Sequence, residues 1–284
     1  MNLDPLDASD AAAEALVAAA GKADGFPPLS EHKLVRLSGA EDAVVATWGA
    51  NGRLVAVSVA ALHEGDEPHW ALEVATAVED RTAGLETAAL TAAISTIPRE
   101  EPYSLWVQRP EQVAAAEALG HRELRRVMRL DGPLPLPSDR SHVEIGTITD
   151  TNDDAIMAVH NRAFAGHREA SGMTQERLDD MRAMPWYDPE GVITGFVDGR
   201  LVGYCWTKLH ANGDGEVYLL AVDPNAHGRG LGELLAGEGY RHLGERGAAR
   251  AMLWVDGDNE AAITLYRRIG LEPSLANVEM VPSS

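Results

Sequence analysis

The chain carries two copies of one sequence pattern, and this duplication limits its possible folds more than any other feature. GRLVAVSVAALH, residues 52–63, aligns with GRLVGYCWTKLH, residues 199–210, and both begin with Gly-Arg-Leu-Val and end with Leu-His. Farther along, Leu-Trp-Val recurs at residues 105–107 and 253–255 at nearly the same spacing. Collinear matches of this kind indicate a duplicated structural unit.

Each copy predicts a domain that mixes strands and helices. In the second copy, apolar residues recur at helical spacing in some segments and in short β-type runs in others, with turn residues between them. Its predicted elements are a helix at 153–164, hairpin strands at 192–197 and 201–209, a strand at 216–222, a helix at 230–246, a strand at 251–255 and a helix at 259–269. We therefore predict two α/β domains, each with a mixed (α+β) sheet, at 1–135 and 140–284. The proline-rich segment DGPLPLPSD, residues 131–139, is the predicted linker.

The charge balance excludes several classes of partner. The 284 residues include 24 Lys and Arg against 44 Asp and Glu, a formal net charge of −20. Such a charge repels phosphate backbones and anionic lipids, so we expect neither nucleic acid nor a membrane surface as partner. No apolar stretch approaches the ~18 residues that cross a bilayer, and the acidic start MNLDPLDASD is unlike a secretory signal, so we expect a cytoplasmic protein. Cys205 is the single cysteine, which rules out an internal disulfide, and we expect a monomer that requires no metal.

The loop HGRGLG, residues 227–232, is the sharpest chemical signal. It follows a buried strand and opens a helix, where free backbone N–H groups without obstructing side chains can bind phosphate oxygens, and Arg229 adds a positive charge. A P-loop is excluded because Glu233 follows Gly232 in place of lysine. A dinucleotide site, with Asp256 as the ribose-binding acid, lacks its third glycine and a complete parallel sheet. A turn that only lets the helix pack closely remains an alternative.

This loop and three neighbouring segments, taken in their order along the chain, resemble a known family. The strand EVYLLAVDP, the loop HGRGLG with its helix, the strand LWV and the helix DNEAAITLYRRIGL together resemble the GNAT superfamily of N-acetyltransferases, whose loop reads Gln/Arg-x-x-Gly-x-Gly. His227 replaces the usual Gln or Arg. The resemblance implies acetyl-CoA as cosubstrate, with its pyrophosphate on the loop N–H groups and its pantetheine arm beside the strand. The cofactor positions that it implies are Leu220, Ala221, Val222, His227, Gly228, Arg229, Gly230, Leu231, Gly232, Glu233, Asn259, Glu260, Ala261, Ala262, Ile263 and Thr264.

Longer segments narrow the resemblance. HNRAFAGHREASGMT, PWYDPEG, GYCWTKLH, GEVYLLAVDP and SLWVQRPEQVAAAEALG span both halves and are similar to the mycothiol synthase family of tandem GNAT proteins. This resemblance implies acetylation of the cysteinyl amine of a cysteinyl-glucosaminyl-inositol conjugate. The substrate contacts that it implies are Glu31, Glu169, Lys208, Glu216 and Trp254. Two alternatives stay open: acetylation of another amine, such as a protein N-terminus or an aminoglycoside, and a CoA-binding module without activity.

Two residues of the second copy are candidates for the proton transfers. An α-amino group has a reference pKa near ~8, so a weak base suffices, and Glu216 opens the central strand. The resemblance implies that Glu216 acts through water and that Tyr266 is the general acid for the departing thiolate. Tyr266 lies seven residues after Asn259, two helical turns along nearly the same face. A solvated carboxylate and a core tyrosine are the structural alternatives. The oxyanion would meet a backbone N–H near Val222, where the strand must separate from its neighbour.

The first copy lacks this chemistry. Its loop reads RTAGLE, residues 81–86, with glutamate in place of the last glycine, and Trp70 and Ala116 stand roughly where the second copy has its carboxylate and phenol. The resemblance nevertheless implies a second CoA site without turnover. Its positions would be Val74, Ala75 and Thr76. Acidic residues around this site oppose a phosphate, so we expect the first copy to form one wall of the substrate cleft.

Overall fold

The computed structural model describes residues 2–37, 43–63, 68–135, 143–165 and 172–283. By their contacts, residues Met1–Val127 and Ala276–Ser284 form one compact unit, unit 1, and Met128–Leu275 form the other, unit 2. This division differs from the predicted domains, 1–135 and 140–284, because the end of the chain groups with its beginning. Residues 136–139 of the predicted linker lie outside the described residues.

Unit 1 contains a sheet with helices on both faces. Its elements are β1 (Asp4–Pro5), α1 (Asp10–Asp24), α2 (Glu31–Leu34), β2 (Ala43–Ala50), β3 (Arg53–His63), β4 (His69–Thr76), α3 (Ala83–Ile94), β5 (Tyr103–Val107) and α4 (Pro110–Ala118). The strand order is β1-β2-β3-β4-β5, followed by the last strand of the chain, β12 (Glu272–Pro282). Of the pairings among these strands, β4 with β5 is parallel and the others are antiparallel.

Unit 2 repeats this plan. Its elements are β6 (His121–Gly132), β7 (Glu144–Thr147), α5 (Asp153–Ala163), α6 (Gln175–Ala183), β8 (Val192–Val197), β9 (Arg200–Leu209), β10 (Asp214–Val222), α7 (Leu231–Glu245), β11 (Arg250–Asp256) and α8 (Glu260–Arg268). Of β6, only the residues from Met128 onward belong to unit 2. The strand order is β6-β11-β10-β9-β8-β7, and β10 with β11 is the parallel pair. The predicted mixed α/β fold is confirmed.

Local sequence signals account for the element ends in unit 2. The side chain of Asn152 accepts a hydrogen bond from the N–H of Ala155 and so begins α5, as an N-cap does. Asp198 and Gly199 both have positive φ, at 50° and 71°, as the two-residue turn between β8 and β9 requires. Gly247 has a φ of 94° where the chain leaves α7. The predicted boundaries of these elements differ from the observed ones by at most two residues.

The strands β6 and β12 each pass from one unit into the other. As a result, the core of unit 1 contains Val278 and Met280 from the end of the chain. The core of unit 2 contains Leu130 from the strand that follows α4. Each core is therefore completed by a strand from the other half of the sequence. No helix in the described ranges is long and apolar enough to span a bilayer.

Candidate active site

The central feature of unit 2 is a gap between its two parallel strands. β10 pairs with β11 only from Asp214 to Glu216, opposite Arg250 to Met252, although both strands continue beyond these pairs. On its other side, β10 stays paired with β9 along its length, with a bulge at Tyr218. The strands of a parallel pair normally continue to exchange hydrogen bonds, so the main chain of β10 beyond Glu216 is open on the β11 side.

A buried tyrosine from α7 lies where the two strands separate. The Tyr240 hydroxyl donates a hydrogen bond of 2.9 Å to the carbonyl of Met252, the last paired residue of β11. The same oxygen interacts with the backbone N–H of Val217, the first residue of β10 beyond the pairing. Burial, followed by the nearby Tyr266, raises the pKa of Tyr240 well above its usual value. The hydroxyl thus stands between Val217 and Met252, where the next main-chain hydrogen bond between β10 and β11 would otherwise form.

The bulge decides which main-chain groups of β10 face the gap. The carbonyl of Asp214 accepts from the N–H of His210, so before the bulge the even-numbered residues face β9. The N–H of Asp223 donates to Val202 at the other end, so after the bulge the odd-numbered residues face β9. Because alternate residues point to opposite edges of a strand, Leu220 and Val222 face the gap. These are two of the three strand positions predicted for the cofactor.

The HGRGLG loop ends beside this gap. Gly228 and Gly230 have φ of 77° and 72°, a conformation that favours glycine, and Gly230 is the N-cap of α7 without any side-chain cap. The N–H groups that begin the helix therefore have no capping side chain and can bind an anion. The His227 ring is hydrogen-bonded to the Val222 carbonyl at 3.1 Å, which ties the loop to the end of β10.

A groove of about 480 Å³ runs between the start of α7 and one face of α8. It is lined by Gly230, Glu233, Glu260, Ala261, Thr264, Leu265 and Arg268. Five of these residues were predicted as cofactor positions, and Leu265 and Arg268 were missed. Their signal was present in the sequence, since residues 260, 261, 264, 265 and 268 form one stripe along a helix. Among the described residues neither Arg229 nor Arg268 has an ion-pair partner, so both guanidinium groups are available to an anion.

Gly232 closes the groove toward the gap. A Cβ at this position would lie 2.7 Å from Leu265 Cδ1 and about 4 Å from the side chains of Leu220 and Val222. The helix start, α8 and the open part of β10 therefore meet at one glycine. A glycine at position 232 therefore has two reasons: a larger side chain would collide with Leu265, and it would hinder a ligand from reaching the backbone.

Glu216 is the carboxylate at the point of separation. It is 6% exposed, and its Oε2 is 2.7 Å from Nε2 of His210. Lys208 lies directly opposite Glu216 on β9, so the two side chains share one face of the sheet. The Lys208 ammonium is 4.9 Å from the centre of the Trp186 ring and 5.8 Å from that of Tyr218, within cation–π range. Sequence reasoning missed His210, although the repeated Leu-His pair marks it.

Tyr266 has a different environment from Tyr240. It lies in the core cluster of unit 2 and is 7% exposed. Burial raises the pKa of its phenol above the usual value, so the group keeps its proton at neutral pH. No hydrogen bond to its hydroxyl is found within the described ranges. The hydroxyl is therefore a proton donor that the fold itself does not use.

The remaining predicted positions are dispersed. The Asn259 side chain accepts from the N–H of Ala262 as the N-cap of α8. Ala262 and Ile263 pack against the core of unit 2. Trp254 is half-buried on β11, two residues beyond the last pair with β10. In unit 1, Glu31 is exposed at the start of α2, and Glu169 lies outside the described residues.

Comparisons with known proteins agree with this geometry. Residues 155–271 match the family model of the acetyltransferase (GNAT) family. A mycothiol acetyltransferase of Streptomyces avermitilis is 37% identical, with 90% of this chain and 86% of that protein aligned. One from Mycolicibacterium smegmatis is 36% identical, with 93% and 92% aligned. Among solved structures, a GCN5-related N-acetyltransferase from Sphaerobacter thermophilus has a TM-score of 0.73 at 21% identity, covering 98% of this chain and 94% of that one, and so shares its fold.

Proposed function

The chain belongs to the mycothiol acetyltransferase family of GNAT proteins, and on this premise we propose that it acetylates the cysteinyl amine of a cysteinyl-glucosaminyl-inositol conjugate, with acetyl-CoA as the donor. The observation that carries the proposal is the gap between β10 and β11. It begins at the buried carboxylate of Glu216 and adjoins the uncapped start of α7. An acyl carrier bound along this gap has its phosphates at the helix start and its thioester near Glu216.

The residues around the gap suit acetyl-CoA. The start of α7 supplies N–H donors and the partial positive charge of a helix dipole, and Arg229 and Arg268 supply two cations without ion-pair partners. Leu220 and Val222 offer main-chain groups that a pantetheine amide can pair with, as an added strand does. When bound, acetyl-CoA supplies an activated acetyl thioester.

Two side chains transfer protons in this proposal, and a third holds one of them in place. Glu216 accepts a proton from the substrate ammonium through water, which leaves the amine lone pair free to attack. His210 is a positioning residue, because its 2.7 Å hydrogen bond fixes one oxygen of the Glu216 carboxylate. Tyr266 gives its phenolic proton to the sulfur of the departing thiolate. A backbone N–H of Leu220 or Val222 stabilises the oxyanion, since both residues face the gap.

The substrate lies on the face of the sheet that holds Lys208 and Glu216. There the ammonium of Lys208 lies beside the Trp186 and Tyr218 rings, and the residue as a whole is 5% exposed. Side chains of this kind, with donors and aromatic faces, suit a hydroxyl-rich sugar and inositol better than an apolar ligand.

The proposal is tested by following CoA release from acetyl-CoA with a panel of amines. The panel contains the cysteinyl-glucosaminyl-inositol conjugate, the same conjugate without its cysteinyl group, an aminoglycoside and a peptide with a free N-terminus. We expect kcat/KM to be highest for the cysteinyl conjugate by at least about 10²-fold, as hydrogen-bonded recognition allows. Equal turnover of the peptide or the aminoglycoside would contradict the proposed acceptor. Tight CoA binding without turnover of any amine would favour a module without activity.

A further inference from the structure

The two units place different side chains at equivalent positions around the gap between their parallel strands. Counting from the first residues of α4 and α8, Arg109 matches Asn259 as the N-cap and Gln112 matches Ala262. The buried faces of α3 and α7 align Glu86 with Gly232. Small or neutral residues in unit 2 thus correspond to long polar residues in unit 1.

We propose that the cofactor cleft of unit 1 is closed by its own side chains, with the Glu86 carboxylate as an internal anion at the position of Gly232 in unit 2. The chain then binds one CoA molecule and not two. This proposal concerns unit 1 and does not depend on the acceptor proposed for unit 2.

Glu86 is the centre of the closed cleft. Its Oε1 accepts hydrogen bonds from Arg109 at 2.7 Å and from the Thr76 hydroxyl at 2.9 Å, and Arg109 also donates to that hydroxyl at 2.9 Å. Glu86 is 1% exposed and Thr76 is fully buried. The guanidinium that could attract a phosphate is thereby held by a carboxylate of the same unit, and Asp24 lies 4.0 Å from its Nε.

Gln112 covers the main chain of β4, to which the pantetheine arm of CoA would have to bind. Pairing of β4 with β5 stops at Glu73, and Val74 is the next residue. Val74 corresponds to Leu220 of unit 2, because it pairs with Ser58 of β3 as Leu220 pairs with Cys205 of β9. The Gln112 Nε2 donates to the Val74 carbonyl at 3.1 Å, while its Oε1 accepts from the N–H groups of Gln108 and Arg109. The glutamine amide therefore makes the main-chain hydrogen bond that a pantetheine amide would need.

The strand itself also differs between the units. β4 pairs with β3 without interruption from Thr76 to His69, whereas β10 has its bulge at Tyr218. This register places Ala71, opposite Ala61, where unit 2 has its carboxylate, which corrects the sequence alignment to Trp70 by one residue. Of the predicted positions Val74, Ala75 and Thr76, Val74 has its carbonyl hydrogen-bonded to Gln112, and Thr76 has its hydroxyl hydrogen-bonded to Glu86.

Displacing these groups would be costly. A ligand phosphate would have to remove a buried carboxylate from its guanidinium partner and leave that carboxylate without compensation. The second oxygen of Glu86, Oε2, is buried and has no hydrogen-bond partner among the described residues, so this carboxylate already tolerates incomplete solvation. A second negative charge beside it is unfavourable.

The first test counts binding sites by calorimetry of the full chain with CoA. We expect a stoichiometry of one, and we expect Gly230→Asp, which places a carboxylate at the start of α7, to abolish the signal. Two sites in the unaltered chain, or CoA binding that survives Gly230→Asp at undiminished affinity, would overturn the proposal.

The second test asks whether the carboxylate serves as an internal anion. Glu86→Ala removes the close partner of the buried Arg109 and leaves, among the described acidic residues, only Asp24 at 4.0 Å, so we expect the Tm to fall by about 10 °C. Sodium acetate, at the ionic strength of a sodium chloride reference, should then raise the Tm of Glu86→Ala by about 3 °C or more. It should not raise the Tm of the unaltered chain or of the control Glu111→Ala, which changes an exposed glutamate of α4.

A third variant covers the case in which Glu86→Ala does not fold. Glu86→Gln keeps the size of the side chain and one acceptor for Arg109 and fills the space that acetate would need. We expect a smaller loss of Tm and no acetate effect. An equal acetate effect in the chain with Glu86 intact, or none in a folded Glu86→Ala protein, would overturn the proposal.

Discussion

Two buried tyrosines of unit 2 should respond in opposite ways to the loss of their hydroxyl groups. Tyr240 and Tyr266 belong to the same core cluster, and both substitutions to phenylalanine keep the ring. Of the two, only the Tyr240 hydroxyl has structural partners, the carbonyl of Met252 at 2.9 Å and the N–H of Val217. The Tyr266 hydroxyl has no hydrogen-bond partner among the described residues. We therefore predict that Tyr240→Phe costs stability and that Tyr266→Phe costs activity.

The size of the stability effect follows from the buried carbonyl. Tyr240→Phe leaves the buried Met252 carbonyl without its hydroxyl partner, which costs about 1–3 kcal/mol. For a chain of this size each kcal/mol lowers the Tm by about 2–4 °C, so we expect a loss of about 2–12 °C. Tyr266→Phe breaks no hydrogen bond and should change the Tm by less than about 2 °C, while kcat falls by about 10²-fold through loss of the general acid.

Thermal unfolding of both variants, together with steady-state kinetics under conditions where chemistry limits the rate, tests this pair of predictions. Each variant is the control for the other, because the chemical change is the same. Equal losses of Tm would show that the two hydroxyl groups are structurally equivalent. An unchanged kcat in Tyr266→Phe would make Tyr266 a core residue and would refute its role as the acid.

Three further predictions concern the loop, the groove and the acid side of the stability profile. Gly230→Asp should abolish acetyl-CoA binding in calorimetry, whereas Gly247→Asp, at another glycine of positive φ, should keep it. Arg268→Ala should raise the KM for acetyl-CoA by about 10-fold with little change in kcat, as loss of one charge-assisted contact does, while the neighbouring Arg267→Ala should leave the KM unchanged. Hydrogen bonds from an arginine of α6 hold the pKa of Asp153 at about 2, below its usual 3.8, so its ionised form stabilises the fold above about pH 4 and this contribution is lost as the pH falls toward 2. Asp153→Asn should therefore lower the free energy of unfolding in urea by less than about 1 kcal/mol near neutral pH, since the ion pair of Asp153 with Arg182 is partly exposed. This difference should vanish near pH 2. A difference that persists there would contradict the role of the ionised Asp153.

The predicted elements of unit 2 depend on interactions that are local in sequence. N-caps such as Asn152 and Asn259, the turn at Asp198-Gly199 and the glycine after α7 act within a few residues, so they are visible without the fold. The same holds for the HGRGLG loop, whose glycines report the backbone conformation that they adopt. Glu86, in the loop of the first copy, could also be recognised from the sequence, but its pairing with Arg109 could not.

The sequence alone determined the order of the elements, the duplication and the loop that begins α7, because periodicity, capping and turn chemistry are short-range. Only the tertiary structure decided where β10 leaves β11, because that point depends on a hydroxyl from α7 and on a one-residue bulge against β9. It also decided that Gln112 covers the main chain of Val74. Contacts between residues that are distant along the chain decide whether a gap between two strands is open or filled, and no local pattern encodes them.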